Sequence, residues 1–145
     1  MPRRALINHR PWLLLSLLFG VTYFFASEEP IGGIWLILWK GAGVGFLAVY
    51  AALRGKGVDG ALVALAMALG AAGDMALELD FLVGGTLFAL GHFVAIGLYL
   101  RNRRAKIASS QLLAGLALLA LTPLIAASMV YPLPNWGVAT IYSAI

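Results

Sequence analysis

Three titratable side chains interrupt long apolar runs of this 145-residue chain. Asp74 lies in an alanine-rich run, Lys40 lies near the middle of an earlier run, and His92 lies in the run after Asp74. An ionisable group at membrane depth is costly and usually has a partner or a function. A general acid, a counter-charge or a proton relay uses these residue types. The pattern predicts a buried polar site in a membrane protein.

The composition indicates that lipid surrounds most of the chain. Hydrophobic residues make up 62% of the sequence and charged residues 11%, whereas soluble domains are roughly 45–50% apolar and about 25% charged. Hydrocarbon cannot hydrogen-bond an exposed backbone, and the apolar runs are too long for barrel strands. We therefore expect an all-α fold, a polytopic integral-membrane helical bundle.

The apolar runs predict five full transmembrane helices and a partial sixth within one transmembrane domain that covers residues 1–145. Their expected ranges are Trp12–Ala26, Ile31–Leu53, Gly60–Leu77, Phe81–Leu100, Gln111–Val130 and, for the partial helix, Trp136–Ile145. The last run is only about half as long as a span, so we expect the chain to be cut short or to end on a half-helix.

The distribution of charge predicts the orientation. Basic residues fall in the amino-terminal segment and in alternate loops, at Arg3, Arg4, Arg10, Arg54, Lys56, Arg101, Arg103, Arg104 and Lys106. Such clusters mark the cytoplasmic side and contact anionic lipids, so we expect a cytoplasmic amino terminus and no nucleic-acid partner. The turn between Glu78 and Asp80 then faces outward. We expect a multi-pass protein of the inner (plasma) membrane.

The expected depths allow the three polar groups to share one cavity. The helical rise places Asp74 roughly 9 Å from the turn near Asp80, Lys40 roughly 14 Å from Ile31, and His92 roughly 17 Å from the turn. All three positions lie between the outer interface and the midplane. They could line a cavity that opens outward.

Each group has a structural and a functional interpretation. Asp74 either has a structural role, as an ion-pair partner of Lys40 or an acceptor from His92, or is a general acid, because burial favours the protonated form of a carboxyl group. Lys40 is a buried counter-charge or a contact for a phosphate or oxyanion. His92 is a hydrogen-bonded core residue or a catalytic one. Glu78, one turn from Asp74 and nearer the water, is expected to be a solvated rim residue.

The sequence predicts neither a metal site nor a cofactor. The only other histidine, His9, is expected at the opposite interface, and the chain has no cysteine.

A set of residues around the predicted hairpin resembles the YhhN family, which includes lysoplasmalogenases. The resemblance is carried by Gly73–Asp74, Phe81, Gly84–Gly85, Phe88 and Gly91–His92. Lys40 is similar to a lysine that the family carries in its second span, and Tyr142 falls where a tyrosine opens a later helix.

The resemblance implies hydrolysis of the vinyl-ether bond of a lysoplasmalogen, which releases a fatty aldehyde and a glycerophospho-alcohol. Asp74 is then the general acid, His92 orients it or the attacking water, and Lys40 positions the phosphate or tunes Asp74. The expected partners are a lysophospholipid-type substrate and membrane lipids. The residues expected to contact the substrate are Phe88, Tyr99 and Tyr142.

Two departures from the family pattern bear on activity. The family's second aspartate comes from a late Ser-Asp segment that this sequence does not contain, and Ala95 stands where the family has a tyrosine, with Tyr99 a turn later. We therefore expect this polypeptide to be catalytically impaired or to be a fragment of an active parent.

Two other classes of function fit the same residues. In a small transporter or channel, the three titratable groups would relay protons or bind an ion. In a membrane scaffold without catalytic activity, they would only stabilise the fold. A polar path toward Arg54 or Arg101 would favour transport, whereas an apolar inner half would favour the enzyme.

Overall fold

In a computed structural model of the protein, the described residues are 9–27, 32–104, 106–131, 133–134 and 136–143. They form six α-helices and no strands. The helices are α1 (Arg10–Ala26), α2 (Ile34–Arg54), α3 (Gly57–Leu77), α4 (Phe81–Arg101), α5 (Ser109–Val130) and α6 (Trp136–Tyr142).

The all-α class is confirmed for these residues. Four helices, α2 to α5, are long and apolar enough to cross a membrane, and α1 is a shorter apolar helix of 17 residues. The predicted count of five full spans and a partial sixth, the single domain and the cytoplasmic amino terminus stay predictions. The expected ends at Ile31 and Ile145 lie outside the described residues.

The chain divides into two compact units, residues 1–101 and residues 102–145. In the first unit, α2 packs against α1, α3 packs against α2, and α4 packs against α3. In the second unit, α5 packs against α6, and the Tyr131 and Trp136 rings meet edge to face with their centroids 5.6 Å apart.

Small residues mediate the helix contacts of the first unit, while large apolar side chains face outward. Gly41, Ala71, Gly73, Gly84 and Gly91 are buried. Lipid is as apolar as a leucine side chain, so helices in a membrane associate through close backbone approach rather than through burial of large side chains. The outward apolar side chains include Leu17, Phe24, Trp35, Leu82 and Phe93.

The contact between α1 and α2 combines aromatic packing with two side-chain hydrogen bonds. The Phe19 ring lies 5.3 Å from the Phe46 ring and 5.8 Å from the Trp39 ring, measured between centroids. Trp39 Nε1 donates to Thr22 Oγ1 at 2.9 Å, and Ser16 Oγ donates to the Gly43 carbonyl at 2.6 Å. These bonds satisfy polar groups that lipid could not satisfy.

Glycine makes the tight turn between α2 and α3 possible. Gly57 has a φ of 64°, which is a left-handed conformation that residues with a Cβ adopt rarely. A Cβ on Gly55 would lie 2.6 Å from Gly60 Cα, so the backbone at the two helix ends meets directly. The turn therefore starts α3 beside the end of α2.

We predict that Gly84→Ala destabilises the contact between α3 and α4. A methyl group at Gly84 would lie 2.7 Å from both the Leu77 backbone nitrogen and its Cγ, so the helices must separate. Overpacking of this kind costs about 1–3 kcal/mol in free energy of unfolding. Thermal unfolding in detergent, followed by circular dichroism, measures the loss.

Gly85→Ala is the matched control. Its new Cβ meets nothing within 4 Å, and alanine favours a helix over glycine. We expect a melting temperature equal to or above that of the wild type. Equal destabilisation by both substitutions would contradict the packing described at Gly84.

Candidate functional site

Three helices of the first unit meet at Gly70, and this contact defines one shared face. A Cβ on Gly70 would lie 3.7 Å from Val44 Cγ1 in α2 and 4.0 Å from Phe88 Cε1 in α4. Residues four apart on a helix lie on the same side. Lys40 precedes Val44 by four residues, Asp74 follows Gly70 by four, and His92 follows Phe88 by four. The three titratable residues therefore occupy the same face.

Lys40 forms an ion pair with Glu78, the residue that follows α3. Lys40 Nζ lies 2.6 Å from Glu78 Oε1, and the two side chains are 22% and 35% exposed. Because α2 begins at Ile34 rather than Ile31, Lys40 lies about 9 Å from the outer end of its helix, not 14 Å. The ammonium group therefore reaches the outer end of α3.

Asp74 is half-buried one turn inward from Glu78. The Lys40 charge acts on its carboxyl group, but no hydrogen bond or ion pair joins Asp74 to another described residue of 9–101. Of the two carboxyl groups near Lys40, Glu78 takes the contact and Asp74 does not. The interpretation of Asp74 as the direct ion-pair partner of Lys40 is therefore not what the structure shows.

His92 lies further inward than Asp74. A Cβ on its neighbour Gly91 would lie 3.3 Å from the Ala66 carbonyl oxygen and 3.5 Å from Leu69 Cβ. These α3 residues are one to two turns inward of Asp74, and His92 itself is exposed. The structure thus places His92 on the shared face but at a different level from Asp74.

The three residues predicted to contact substrate have different environments. The Phe88 ring packs against Gly73 and is half-buried beneath the level of Asp74. Tyr99 is 71% exposed near the inner end of α4. Tyr142 belongs to the second unit, at the end of α6. Phe88 is therefore the one that lies beside Asp74, through its contact with Gly73.

Glu78 is the site residue whose contact sequence reasoning missed. It is exposed, as a rim residue is expected to be, but it binds Lys40. Its spacing of four from Asp74 was the available signal, since that spacing puts both carboxyl groups on the face that meets α2. Which of the two carboxyl groups binds Lys40 depends on where α2 lies along the length of α3.

No group of three or more His, Cys, Asp or Glu residues that could hold a metal ion occurs in the part of the chain that the structure describes.

Four apolar helices of spanning length, α2 to α5, indicate an all-α membrane protein. The chain belongs to the YhhN family, whose model matches residues 35–145, more than half of the sequence. That range contains every predicted site residue. No curated protein and no solved structure matches the chain.

We predict that the pair Gly45→Cys and Ala71→Cys forms a disulfide. A Cβ at Gly45 would lie 3.9 Å from Ala71 Cβ, within the span of about 3.5–4.5 Å that a disulfide bridges. The chain has no cysteine of its own, so no native thiol can form a competing disulfide. Mass spectrometry after mild oxidation in membranes detects the linked α2 and α3 peptides.

The control pairs Ala71→Cys with Gly85→Cys, which has nothing within 4 Å of its Cβ. We expect little cross-linking in this variant. Cross-linking of the control but not of the first pair would show that the register between α2 and α3, which places Lys40 beside Glu78, is wrong.

Proposed function

We propose that this protein is a membrane-embedded hydrolase of the lysoplasmalogenase type, which cleaves the vinyl-ether bond of a lysoplasmalogen. One observation carries the proposal: Asp74 is a half-buried carboxyl group, and the nearby Lys40 ammonium is bound by Glu78 instead. Membership of the YhhN family supports the same reaction class.

The reaction requires an acid that holds its proton near neutral pH. A vinyl ether is protonated at its β-carbon, and the resulting oxocarbenium ion is captured by water, whose surplus proton returns to the carboxylate that donated the first one. The hemiacetal then separates into a fatty aldehyde and the alcohol. A carboxyl group removed from water favours its protonated form, so it is suited to the first step.

The other polar residues of the shared face take supporting roles in this proposal. Asp74 donates the proton to the β-carbon, and Lys40, paired with Glu78 at the outer end, positions the phosphate of the substrate. His92, further inward, orients the attacking water. Phe88 provides an apolar wall beside the alkenyl chain.

The ends of the first unit support a site that opens outward. Arg54 bonds Tyr50 and Arg101 bonds Asp59 at one end of the helices, whereas Glu78 and Asp80 lie at the other. Because cytoplasmic loops are the basic ones, we place the amino terminus in the cytoplasm and the protein in the inner (plasma) membrane. The substrate then enters from the outer leaflet.

The inner half of the shared face favours an enzyme over a transporter. In α3 the positions that continue the face from Asp74 toward the basic end are Gly70, Met67 and Val63. In α2 the positions that continue it from Lys40 are Val44, Leu47 and Ala51. These residues offer no side chain that could relay a proton or an ion along α2 or α3.

We predict that Asp74→Asn strongly lowers the release of aldehyde from a lysoplasmalogen. Asparagine keeps the size of the side chain but cannot donate the proton to carbon. General acid catalysis contributes about 10²–10⁴-fold, and the loss should be of that order. The assay measures free aldehyde from the purified protein in detergent, where transport across a membrane cannot contribute.

Asp59→Asn is the matched control. It removes the same charge from the same helix at the other end, where Asp59 Oδ1 accepts a hydrogen bond from Nε of the exposed Arg101 side chain at 2.8 Å. Its aldehyde release should equal that of the wild type. Because the family's second aspartate is absent from this sequence, we expect wild-type release to be weak. A wild-type protein that binds lysoplasmalogen and releases no aldehyde at all would refute the proposal and favour a scaffold or a transporter.

A further inference from the structure

We infer that Glu78 is a positioning residue that holds the Lys40 ammonium away from Asp74 and so leaves Asp74 protonated as the acid. The inference rests on the proposed function of Asp74. It assigns a role in that function to Glu78, which the sequence pattern predicts only as a solvated residue at the rim of the site.

The geometry brings one ammonium group near two carboxyl groups on consecutive turns of α3. Lys40 Nζ donates to Glu78 Oε1 at 2.6 Å, and no ion pair of the described residues joins it to Asp74. Gly41 permits this arrangement, because a Cβ there would lie 3.3 Å from the Ala71 carbonyl oxygen and 2.7 Å from Met75 Sδ. The close backbone approach keeps Lys40 at the level of Glu78.

The position of the ammonium group determines which carboxyl group it can contact directly. A cation within hydrogen-bond reach of a carboxyl group favours its charged form, whereas burial favours its neutral form. Glu78, at the outer end of α3, takes the direct contact with the ammonium group. The paired Lys40 and Glu78 are neutral as a unit, so their field at Asp74 is weaker than that of a lone ammonium.

Among the described residues 9–27 and 32–101, few other titratable groups act on this pair. Tyr23 of α1 acts on Lys40 electrostatically. On α4, His92 is the titratable residue of the shared face, and it lies one to two turns inward. Within the described first unit, Glu78 is the only carboxyl group that binds Lys40.

The first test is the pH profile of aldehyde release. Glu78→Gln keeps the shape and an acceptor oxygen but removes the charge, so the uncompensated ammonium should favour ionised Asp74. The alkaline limb of the profile, where the rate of aldehyde release falls as the pH rises, should move down by about one pH unit. At a fixed pH on that limb, the rate should fall about tenfold. The double variant Lys40→Met with Glu78→Gln should return the limb toward its wild-type position.

Asp80→Asn is the control for a general loss of negative charge. Asp80 lies two residues further along, and its Oδ1 accepts the Val83 backbone N–H at 2.9 Å rather than binding Lys40. Asparagine can keep that cap. The pH profile of this variant should equal that of the wild type.

The second test reads the proton on Asp74 without any activity. Infrared spectroscopy detects the carbonyl stretch of a protonated carboxyl group, and Asp74→Asn identifies the band that belongs to Asp74. The band should persist at neutral pH in the wild type, disappear in Glu78→Gln and reappear in the double variant. Lys40→Met alone should keep the band to a higher pH, because Glu78 is then an unpaired neighbouring anion.

The two readouts separate the two proposals. If Glu78→Gln changes neither the band nor the limb, or if Asp80→Asn shifts them equally, the role of Glu78 is refuted. If the band responds as expected while the wild type releases no aldehyde, the ether-hydrolase proposal fails and the control of Asp74 by Glu78 stands. A Glu78→Gln variant that does not fold leaves Lys40→Met to decide, since an unchanged band there refutes the inference.

Discussion

The close approach of α2 and α3 at Gly41 and Ala71 is the contact on which the site depends. Without a hydrophobic driving force between helices in lipid, the register along a helix pair is determined by where small residues let the backbones touch. Gly41 is the residue next to Lys40, so this one contact also determines which turn of α3 faces the ammonium group. A shift by one helical turn would bring Lys40 to Asp74 instead of Glu78.

In the first unit, charged side chains are paired near the ends of helices, as is common in membrane proteins. Among the described residues of this unit, Lys40, Arg54 and Arg101 each bind an oxygen near a helix end, where water remains within reach. Pairing there costs less desolvation than pairing at the midplane. Asp74 differs from these pairs, because it is a half-buried carboxyl group that lies one turn inward of Glu78. A single group kept apart from such pairing is a candidate for chemistry.

Much of the fold follows from local features of the sequence. α4 was expected at Phe81–Leu100 and occurs at Phe81–Arg101, because the apolar run and the Asp80 cap define its ends. α2 starts three residues later than expected, at Ile34, after the pair Gly32–Gly33. The apolar run extends through that pair, but Gly33 has a φ of 74°, which lies outside the right-handed helical region. This small difference changes the depth assigned to Lys40.

The sequence by itself determined that the protein is all-α and membrane-embedded, and which titratable residues stand within its apolar runs. The reason is that hydrocarbon requires every backbone hydrogen bond to be made within the protein, and the apolar runs are too long for the strands of a barrel. A titratable residue within such a run is costly and is therefore easy to recognise in the sequence. Only the tertiary structure decided that Lys40 binds Glu78 and that His92 lies inward of Asp74. Those contacts depend on helix registers, which result from many small contacts along whole interfaces and leave no local pattern in the sequence.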